Sequence, residues 1–593
     1  MGDEEVVQGF SAKNVRAFGR VDVAIIGSGI AGLSCAIMLA RGGWRVIVLE
    51  QHDRVGGTMH AFTLGDGKRS WEFDAGVHYV GASLVRSSLF RRLVRNRVSW
   101  CRMSDDFDCA TLGTTTANQP SPRKKPAWTW RMSSSRKTVI ARLRERFPRH
   151  GANVEAYLRA CARCSFWSGV VAVALKVLPM DVARAVEPWV AAFFAFVARI
   201  PHRRATVSQV LAACGLDPES EDSEIREVAG VLAYSWPDVG VPPSQMPFVV
   251  GARKATSLAD GAYFPKGSGA AIALALAEAA VATRRCAIFV RAPVDRIETR
   301  SGAVVGVVSR GVVVETPKVV SAAGIYNTLV RMLPDVTTKC GAHAEYAAVA
   351  DRVRDGSLPL SSTWVSLFVG LDDDDDRRRA ALPKHNLFCF PTWDHDRNVA
   401  SSKRAGLNGE FAACFITSSS AKEDRADKPS SLVVLALVEW DWFVEFTTRD
   451  DDGKSTIRRD SKTAFDALKT NLTTRLLNLL YDKIPDLEGR VVYTSLATPL
   501  CVNKFLGTNR GEFNGLAHTV DRFDLPTQRL LRPKLAFLDG LYLTGHDVTQ
   551  QGLPAALNSA VLTCFTLSPL SWLRVAPFVL WDFCRAAYAS FYL

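Results

Sequence analysis

Three glycines near the start of the chain have the spacing of a dinucleotide-binding loop. Gly27, Gly29 and Gly32 form the pattern G-x-G-x-x-G directly after the apolar run 21–26. The first glycine permits a tight turn, the second lets backbone approach a pyrophosphate, and the third lets a helix pack closely on a strand. The free N–H groups that begin the helix attract phosphate. The pattern therefore predicts a βαβ unit that binds a dinucleotide.

An acid and a second glycine pair narrow the choice of nucleotide. Glu50 follows the apolar run 46–49, where a carboxylate can accept both ribose hydroxyls, and this favours FAD or NAD over NADP. The pair Gly56–Gly57 predicts another loop close to the pyrophosphate, which favours FAD. The cofactor-binding residues predicted in this part of the chain are Gly27, Ser28, Gly29, Ile30, Ala31, Gly32, Glu50, Gln51, Gly56, Gly57 and Thr58.

The candidate catalytic residues follow the glycine loops. Residues 62–81 predict a β-hairpin that turns at 66–68 and leads into the small, tight segment 74–76. His78 and Tyr79 come directly after that segment, so we expect them to face the flavin or the substrate, with simple packing as the open alternative. His60 is the third candidate because it lies beside the glycine pair.

The chain returns to the nucleotide near its C-terminus. Residues 541–544 predict a strand, 545–547 a turn, and a helix begins at about 554. Its first N–H groups could stabilise negative charge on a reduced flavin ring, although a plain capped helix has the same pattern. An earlier strand is expected to pass the adenine, and another to return to the cofactor. The further cofactor-binding residues predicted from these segments are Val294, Gly324, Gly545, Asp547 and Leu553.

Composition excludes several classes of protein. The chain has 593 residues, a formal net charge of +13 and a pI of about 9.2. No nucleic-acid-binding motif is visible, so we expect an anionic membrane surface to be the basic protein's partner. The 13 cysteines are scattered and odd in number, which indicates reduced thiols in an intracellular setting. We predict no metal site, and no signal or transit peptide is visible.

The order of these segments predicts an α/β fold. We expect a Rossmann-like FAD-binding domain, a discontinuous α+β substrate domain and a helical, membrane-facing lid. The predicted FAD-binding domain comprises 20–100, 258–335 and 491–565, the substrate and lid domain comprises 101–257 and 336–490, and the amphipathic tail is 566–593.

Two segments have a composition that suits a membrane surface. Residues 151–235 are helical and strongly apolar, but charges such as Lys176 and Asp181 interrupt them. We therefore expect a buried lid or a surface helix there, because no uncharged run reaches the length of a spanning helix. The tail 566–593 carries Trp and Tyr beside Arg, an interfacial pattern, with a docked terminal helix as the alternative.

Residues 50–81, EQHDRVGGTMHAFTLGDGKRSWEFDAGVHYVG, resemble the all-trans-retinol 13,14-reductases (retinol saturases) and the related carotenoid isomerases and phytoene desaturases. The resemblance implies bound FAD and a membrane-bound polyene substrate. The chain departs from the wider group at Thr58–His60, where many relatives carry Arg, and at His546, where Gln is usual. Further blocks that resemble the family, in family order, are 234–245, 262–269, 319–328, 498–500 and 541–547.

The resemblance implies an FAD-dependent oxidoreductase or isomerase that saturates or cis–trans isomerises a double bond of a retinoid or carotenoid. In saturation, the proton would come from water, Tyr79 or His78, and NAD(P)H is one candidate electron donor. Desaturation, hydration with a structural FAD, and a non-catalytic flavin-bound subunit of a membrane assembly remain open. The partners expected are a lipophilic polyene and an intracellular membrane surface, of the endoplasmic reticulum or a plastid, and no nucleic acid.

Overall fold

The structure is a computed structural model. It describes residues 6–115, 128–200, 204–258, 260–333, 344–372, 382–423, 428–449 and 455–592.

A six-stranded parallel sheet forms from the apolar runs around the glycine loop. Val23 pairs with Val46 on one side and Ala24 with Val319 on the other. These strands are nearly continuous Val, Ile and Leu because both faces are buried: helices cover one, and the core on the other includes the small sheet of strands Val294–Arg300, Ala303–Ser309 and Val312–Glu315. Helices Ile30–Arg41, Ser268–Val281 and Leu553–Leu567 share one hydrophobic core with the sheet. The strands, in spatial order, are Gln8–Gly9, Cys286–Val290, Val46–Leu49, Val23–Ile26, Val319–Ser321 and Leu541–Leu543.

A second, seven-stranded sheet is mostly antiparallel. Alternate residues of its strand Ser431–Val438 enter different cores: Val434 and Ala436 lie in one cluster, and Leu437 lies in another. Helix Lys462–Lys483 covers one face, and the other face turns toward the interior of the molecule. The strands, in spatial order, are Val491–Ala497, Thr363–Leu371, Ser431–Val438, Cys414–Thr417, Asn386–Phe390, Asp106–Leu112 and Thr129–Ser133.

Four smaller sheets connect these layers. The predicted hairpin is present, with Leu64 opposite Trp71. The small sheets are Ala61–Gly65 with Ser70–Asp74; Val80–Gly81 with Ala262–Pro265 and Trp100–Arg102; Val294–Arg300 with Ala303–Ser309 and Val312–Glu315; and Thr447–Arg449 with Ser455–Ile457. The predicted domain boundaries, which no observation tests directly, stay a prediction.

Three apolar helices lie together at one side of the molecule. We name them the long helix (Gly151–Val177), the adjoining helix (Met180–Ala198) and the terminal helix (Ala576–Tyr592). Rings join them: Phe166 and Phe583 have centroids 5.6 Å apart, and Trp167 and Phe193 are 5.5 Å apart.

The long helix is continuous although charged residues lie within it. Within the described residues, Pro148–Val177 is long and apolar enough to cross a membrane, by length and composition alone, and 35% of its most apolar window is buried. The observation that no uncharged run reaches that length still holds, because charges such as Lys176 lie within this helix without ending it.

Shorter helices complete the fold. Many begin at a side chain that caps the first turn; for example, the Thr206 hydroxyl accepts the Gln209 N–H in a capping box. These helices are Ala12–Phe18, Ala82–Val85, Ser88–Leu93, Arg136–Arg146, Val207–Ala213, Ser223–Ala233, Phe248–Ser257, Ala344–Asp355, His395–Ala405, Ser419–Glu423, Pro499–Leu506, Leu525–Leu530 and Pro569–Leu573.

Candidate functional site

The glycine loop has the geometry that its sequence predicts. Gly27 has a left-handed φ of 94°, and a Cβ on Gly32 would lie 2.1 Å from the Gly27 carbonyl oxygen. Both positions therefore require glycine. A Cβ on Gly29 would meet no atom within 4 Å, so open space lies above the loop at the start of the helix. A Cβ on Gly57 would lie 3.5 Å from the Gly29 Cα, which places the second glycine loop against the first.

Glu50 organises the polar groups beside these loops. Its Oε2 accepts the Ser28 N–H at 2.9 Å and the Ser28 hydroxyl at 2.5 Å, while Oε1 accepts the His52 N–H at 2.9 Å. The Gly56 N–H donates to the Ser28 Oγ at 3.1 Å, which ties the second loop to the first. Oε2 thus accepts two donors, whereas Oε1 keeps a lone pair for a ribose hydroxyl. The open space, the acid and the helix N-terminus together fit a nucleotide cofactor.

Asp547 joins three segments at the edge of the parallel sheet. Its Oδ2 accepts the Ile325 N–H at 2.7 Å, and its Oδ1 accepts the Leu516 N–H at 2.9 Å. Gly324 lies against the same carboxylate, since a Cβ there would be 3.3 Å from Oδ2. Gly545, with a φ of 102°, donates its N–H to the Ser559 Oγ at 2.7 Å. The structure thus brings Gly324, Gly545 and Asp547 together at the ends of neighbouring strands.

The other predicted cofactor residues are less tightly grouped. Thr58 and Leu553, the first residue of helix Leu553–Leu567, line the same cavity. Ile30 and Ala31 are buried in the first turn of the glycine-loop helix. The Gln51 side chain donates to the Leu506 carbonyl at 2.8 Å, and Val294 begins a strand of a small sheet. None of these placements shows a cofactor contact, so the roles of these residues stay predictions.

A cavity of about 1250 Å³ extends from Thr58, directly after the second glycine loop, to the apolar helices. It is large enough for a long apolar ligand. Near the nucleotide its wall includes Thr58, Gly76 and Leu553, and at the other end it includes Phe166 of the long helix and Phe583 of the terminal helix. The strand faces of the second sheet close one side, through residues such as Trp364, Phe415 and Leu435.

Two of the three predicted catalytic residues line the cavity. His78 and Tyr79 line the cavity, whereas His60 lies outside its wall, with Nδ1 2.6 Å from the Gly57 carbonyl oxygen. Burial lowers the pKa of His78 to about 3, with help from the charge of Lys422, so its ring is neutral at physiological pH. The His78 Nδ1 is buried and has no hydrogen-bond partner within the described residues.

Tyr79 belongs to a buried network of charged groups. Its hydroxyl donates to Asp238 Oδ2 at 2.9 Å and accepts from Lys254 Nζ at 3.2 Å. Lys254 and Asp238 themselves form an ion pair of 2.5 Å. Burial, together with the nearby carboxylates of Asp108 and Asp238, raises the pKa of Tyr79 well above its ordinary value. Tyr79 therefore keeps its proton, and the residue lines the cavity.

The network continues behind the cavity wall. Asp108 accepts the Tyr234 hydroxyl at 2.8 Å and the Asn386 amide at 2.8 Å, and burial raises the pKa of its carboxyl to about 6. Lys422 Nζ donates to Asn386 Oδ1 at 2.6 Å and to the His78 carbonyl at 2.7 Å. Burial lowers the pKa of Lys422 to about 7. Asp108 and Lys422, which contact Tyr79 and the His78 carbonyl, therefore both have pKa values near neutrality.

Sequence reasoning did not identify Asp108, Asp238, Lys254 or Lys422. Only Asp238 lies within a block that resembles a known family, 234–245, and no spacing rule marks it as part of a site. The four residues come from a strand, a short turn and two helices that are far apart in the chain. Their common position arises only when the second sheet packs against the helical layer.

Comparison with known proteins agrees with this geometry. Residues 25–95 match the family of NAD(P)-binding Rossmann-like domains. An all-trans-retinol 13,14-reductase of Danio rerio is 29% identical over 575 residues, which cover 94% of this chain and 87% of that protein. The chain is a homologue of the all-trans-retinol 13,14-reductases. The predicted resemblance is confirmed, and with it an oxidoreductase that carries a Rossmann-like nucleotide-binding domain.

Other relatives mark the breadth of this group. A Danio rerio protein named inactive all-trans-retinol 13,14-reductase is 22% identical over 92% of this chain and 85% of its own length. A 15-cis-phytoene desaturase of Synechococcus elongatus is 41% identical over 91 residues, 15% of this chain and 19% of that protein. Among solved structures, cyclohexylamine oxidase from Brevibacterium oxydans has a TM-score of 0.51 at 15% identity and covers 92% of this chain and 99% of its own. That likeness shows a shared α/β fold.

Proposed function

We propose that this chain is an FAD-dependent oxidoreductase that saturates a carbon–carbon double bond of a conjugated polyene, a retinoid or a carotenoid. The observation that carries the proposal is the cavity of about 1250 Å³, which reaches from Thr58 and the start of helix Leu553–Leu567 to three apolar helices. Its walls near Phe166, Phe415 and Leu435 suit a long apolar molecule rather than a small polar one. The names of the relatives, a retinol reductase and a phytoene desaturase, indicate the same substrate class.

The residues around the glycine loops suit FAD. Glu50 would accept a ribose hydroxyl at Oε1, Gly29 and Gly57 would leave room for the pyrophosphate, and Asp547 would take a ribityl hydroxyl with its remaining lone pairs. The N–H groups that begin helix Leu553–Leu567 would stabilise negative charge on the ring. When bound and reduced, FAD supplies a hydride to one carbon of the double bond.

Tyr79 supplies the proton that saturation requires at the other carbon. Tyr79 lines the cavity, and its raised pKa keeps the proton in place until a strongly basic carbon centre takes it. Lys254 then stabilises the phenolate through its 3.2 Å contact and can pass a proton back to the oxygen. His78 is a poorer donor because burial keeps its ring neutral.

The membrane-facing lid is part of the same proposal. Trp189 and Phe196 of the adjoining helix are 79% and 80% exposed, and Trp581 of the terminal helix is 66% exposed. We name these exposed aromatic side chains the apolar rim. Aromatic groups at that density on helices which also line the cavity suit contact with lipid. A lipophilic substrate would then enter from the membrane surface, to which the net charge of +13 attracts the protein. The organelle stays a prediction.

The flavin spectrum tests this function. We expect the purified protein to contain FAD that is bleached anaerobically by dithionite, by NAD(P)H or by a quinol. Addition of retinol or a carotenoid should then restore the oxidised spectrum, because the polyene takes up the two electrons. A protein without flavin, or a reduced flavin that no polyene re-oxidises, would contradict the proposed function and suggest an inactive protein, like the relative named inactive.

A further inference from the structure

Arg253 places a positive charge in the wall of the cavity. It lies on helix Phe248–Ser257, where its Nε donates to the Ser168 hydroxyl of the long helix at 3.0 Å. The guanidinium lies over Gly169, since a Cβ there would be 3.2 Å from Nη2. Within the described part of the chain no carboxylate pairs with Arg253. Burial also lowers the pKa of this guanidinium, which reflects the cost of its charge there.

Three other cations around the cavity form ion pairs with carboxylates. Lys254 pairs with Asp238 at 2.5 Å, Arg86 with Asp260 at 3.2 Å, and Arg585 with Asp582 at 3.7 Å. Their charges are balanced within the protein. Arg253 instead lies near Lys176, which is fully buried on the long helix and whose pKa is lowered well below its ordinary value by burial and by nearby arginines, Arg253 among them. The Lys176 Nζ donates to the Gln528 carbonyl at 3.0 Å and to that of Leu531. Arg253 therefore places in this part of the wall a positive charge that no carboxylate of the described residues neutralises.

We propose that Arg253 binds a carboxylate at the end of an apolar chain that occupies the cavity. A half-buried guanidinium without a counter-ion is costly, and a ligand carboxylate removes that cost through two parallel N–H···O bonds. Phe166 and Val249 on the same two helices line the cavity and would contact the apolar chain. The inference rests on the proposed function, because it assigns the polar end of the molecule whose double bond is reduced.

The test is equilibrium binding to the FAD-loaded protein, followed by quenching of tryptophan fluorescence. The probes are retinoic acid, retinol and palmitic acid, which separate the carboxylate from the polyene. We expect the wild type to bind retinoic acid about tenfold or more tightly than retinol, because a charge-assisted hydrogen bond contributes a free energy of that size. Arg253→Met should abolish that preference without weakening retinol binding, and Arg253→Lys should retain part of it.

Ser168→Ala is the matched control. It removes the side-chain partner of Arg253 but leaves the guanidinium free to bind, so the preference for retinoic acid should persist. A thermal melt of each variant checks that the contact between the two helices survives. Equal affinity of the wild type for the two retinoids, or an equal loss of both in Arg253→Met, would overturn the inference while the proposed function stands. Binding of palmitic acid alone would support the carboxylate site and contradict the polyene substrate; no binding at all would contradict both.

Discussion

At the scale of single residues, the hydroxyl of Tyr79 is the group that the chemistry depends on most. Tyr79→Phe removes the proton but keeps the ring beside Phe107. We expect product formation to fall about 100-fold or more, the usual contribution of a general acid. Flavin content and polyene affinity should remain unchanged. Single-turnover kinetics with reduced enzyme measure the loss.

Tyr346→Phe is the matched control for that variant. Tyr346 is fully buried, whereas Tyr79 is half-buried, and Tyr346 packs against Phe537 in a core away from the cavity. Its loss of a hydroxyl should leave turnover unchanged. A Tyr79→Phe enzyme with wild-type turnover would mean that water supplies the proton.

A substitution at Gly29 tests cofactor binding separately from folding. Its φ of −65° is open to alanine, and the added methyl group would meet no protein atom within 4 Å. We therefore expect Gly29→Ala to fold with wild-type thermal stability in the FAD-free state. FAD affinity should fall by about 1–3 kcal/mol because the methyl group occupies the space for the pyrophosphate.

Gly9→Ala is the control, since its Cβ also meets nothing within 4 Å but lies at a sheet edge away from the loop. It should bind FAD as the wild type does. Titration of the FAD-free variants with FAD measures both affinities, and an unaltered affinity in Gly29→Ala would contradict the assigned pyrophosphate position.

Lys422 links stability to pH. Burial lowers its pKa from 10.5 to about 7, so between those pH values the unfolded chain binds a proton that the folded chain lacks. The free energy of unfolding should therefore rise with pH across that window. Lys422→Met should remove this contribution. Urea denaturation at pH 7 and pH 9 is the measurement, and an equal rise in both proteins would contradict the assignment.

At the scale of elements, the apolar rim should control contact with membranes. The double variant Trp189→Ser with Phe196→Ser removes two highly exposed aromatic side chains from the adjoining helix. We expect its partition onto anionic phospholipid vesicles to fall about tenfold or more, given the transfer free energy of such side chains. Turnover of a polyene dissolved in detergent should be preserved.

Phe505→Ser is the matched control for the rim. Phe505 is 56% exposed but lies on helix Pro499–Leu506, outside the three apolar helices. Its removal should leave vesicle flotation unchanged. Equal losses in both variants would mean that the protein binds lipid through no defined face.

The elements could be predicted where a local pattern determines them. The glycine spacing determined the turn at Gly27 and the close packing at Gly32, and the alternation around the 66–68 turn determined the hairpin. The edge strand Gln8–Gly9 could not be predicted, because two residues carry no periodicity. The length of the long helix could not be predicted from uncharged runs, because scattered charges such as Lys176 lie within it and find partners inside the fold.

At the scale of the whole molecule, the site depends on contacts between distant segments. Tyr79 precedes its partner Asp238 by 159 residues and Lys254 by 175 residues. Sequence patterns predicted the tyrosine because it follows the glycine loops, but they did not predict the charged network that holds its proton. Likewise, the resemblance predicted an apolar ligand, but it did not predict the position of Arg253. Arg253, which pairs with no carboxylate of the described residues, reaches the cavity wall because the long helix packs on helix Phe248–Ser257.

The most direct test of the proposed reaction is an anaerobic single turnover with product analysis. Stoichiometrically reduced protein is mixed with a retinoid or carotenoid, and the extracted products are separated and weighed by mass spectrometry. We predict a product that has gained two hydrogen atoms and lost one double bond, in amounts equal to the flavin oxidised. A product of unchanged mass with altered geometry would instead show isomerisation, and unaltered polyene with the flavin still reduced would contradict the proposed function.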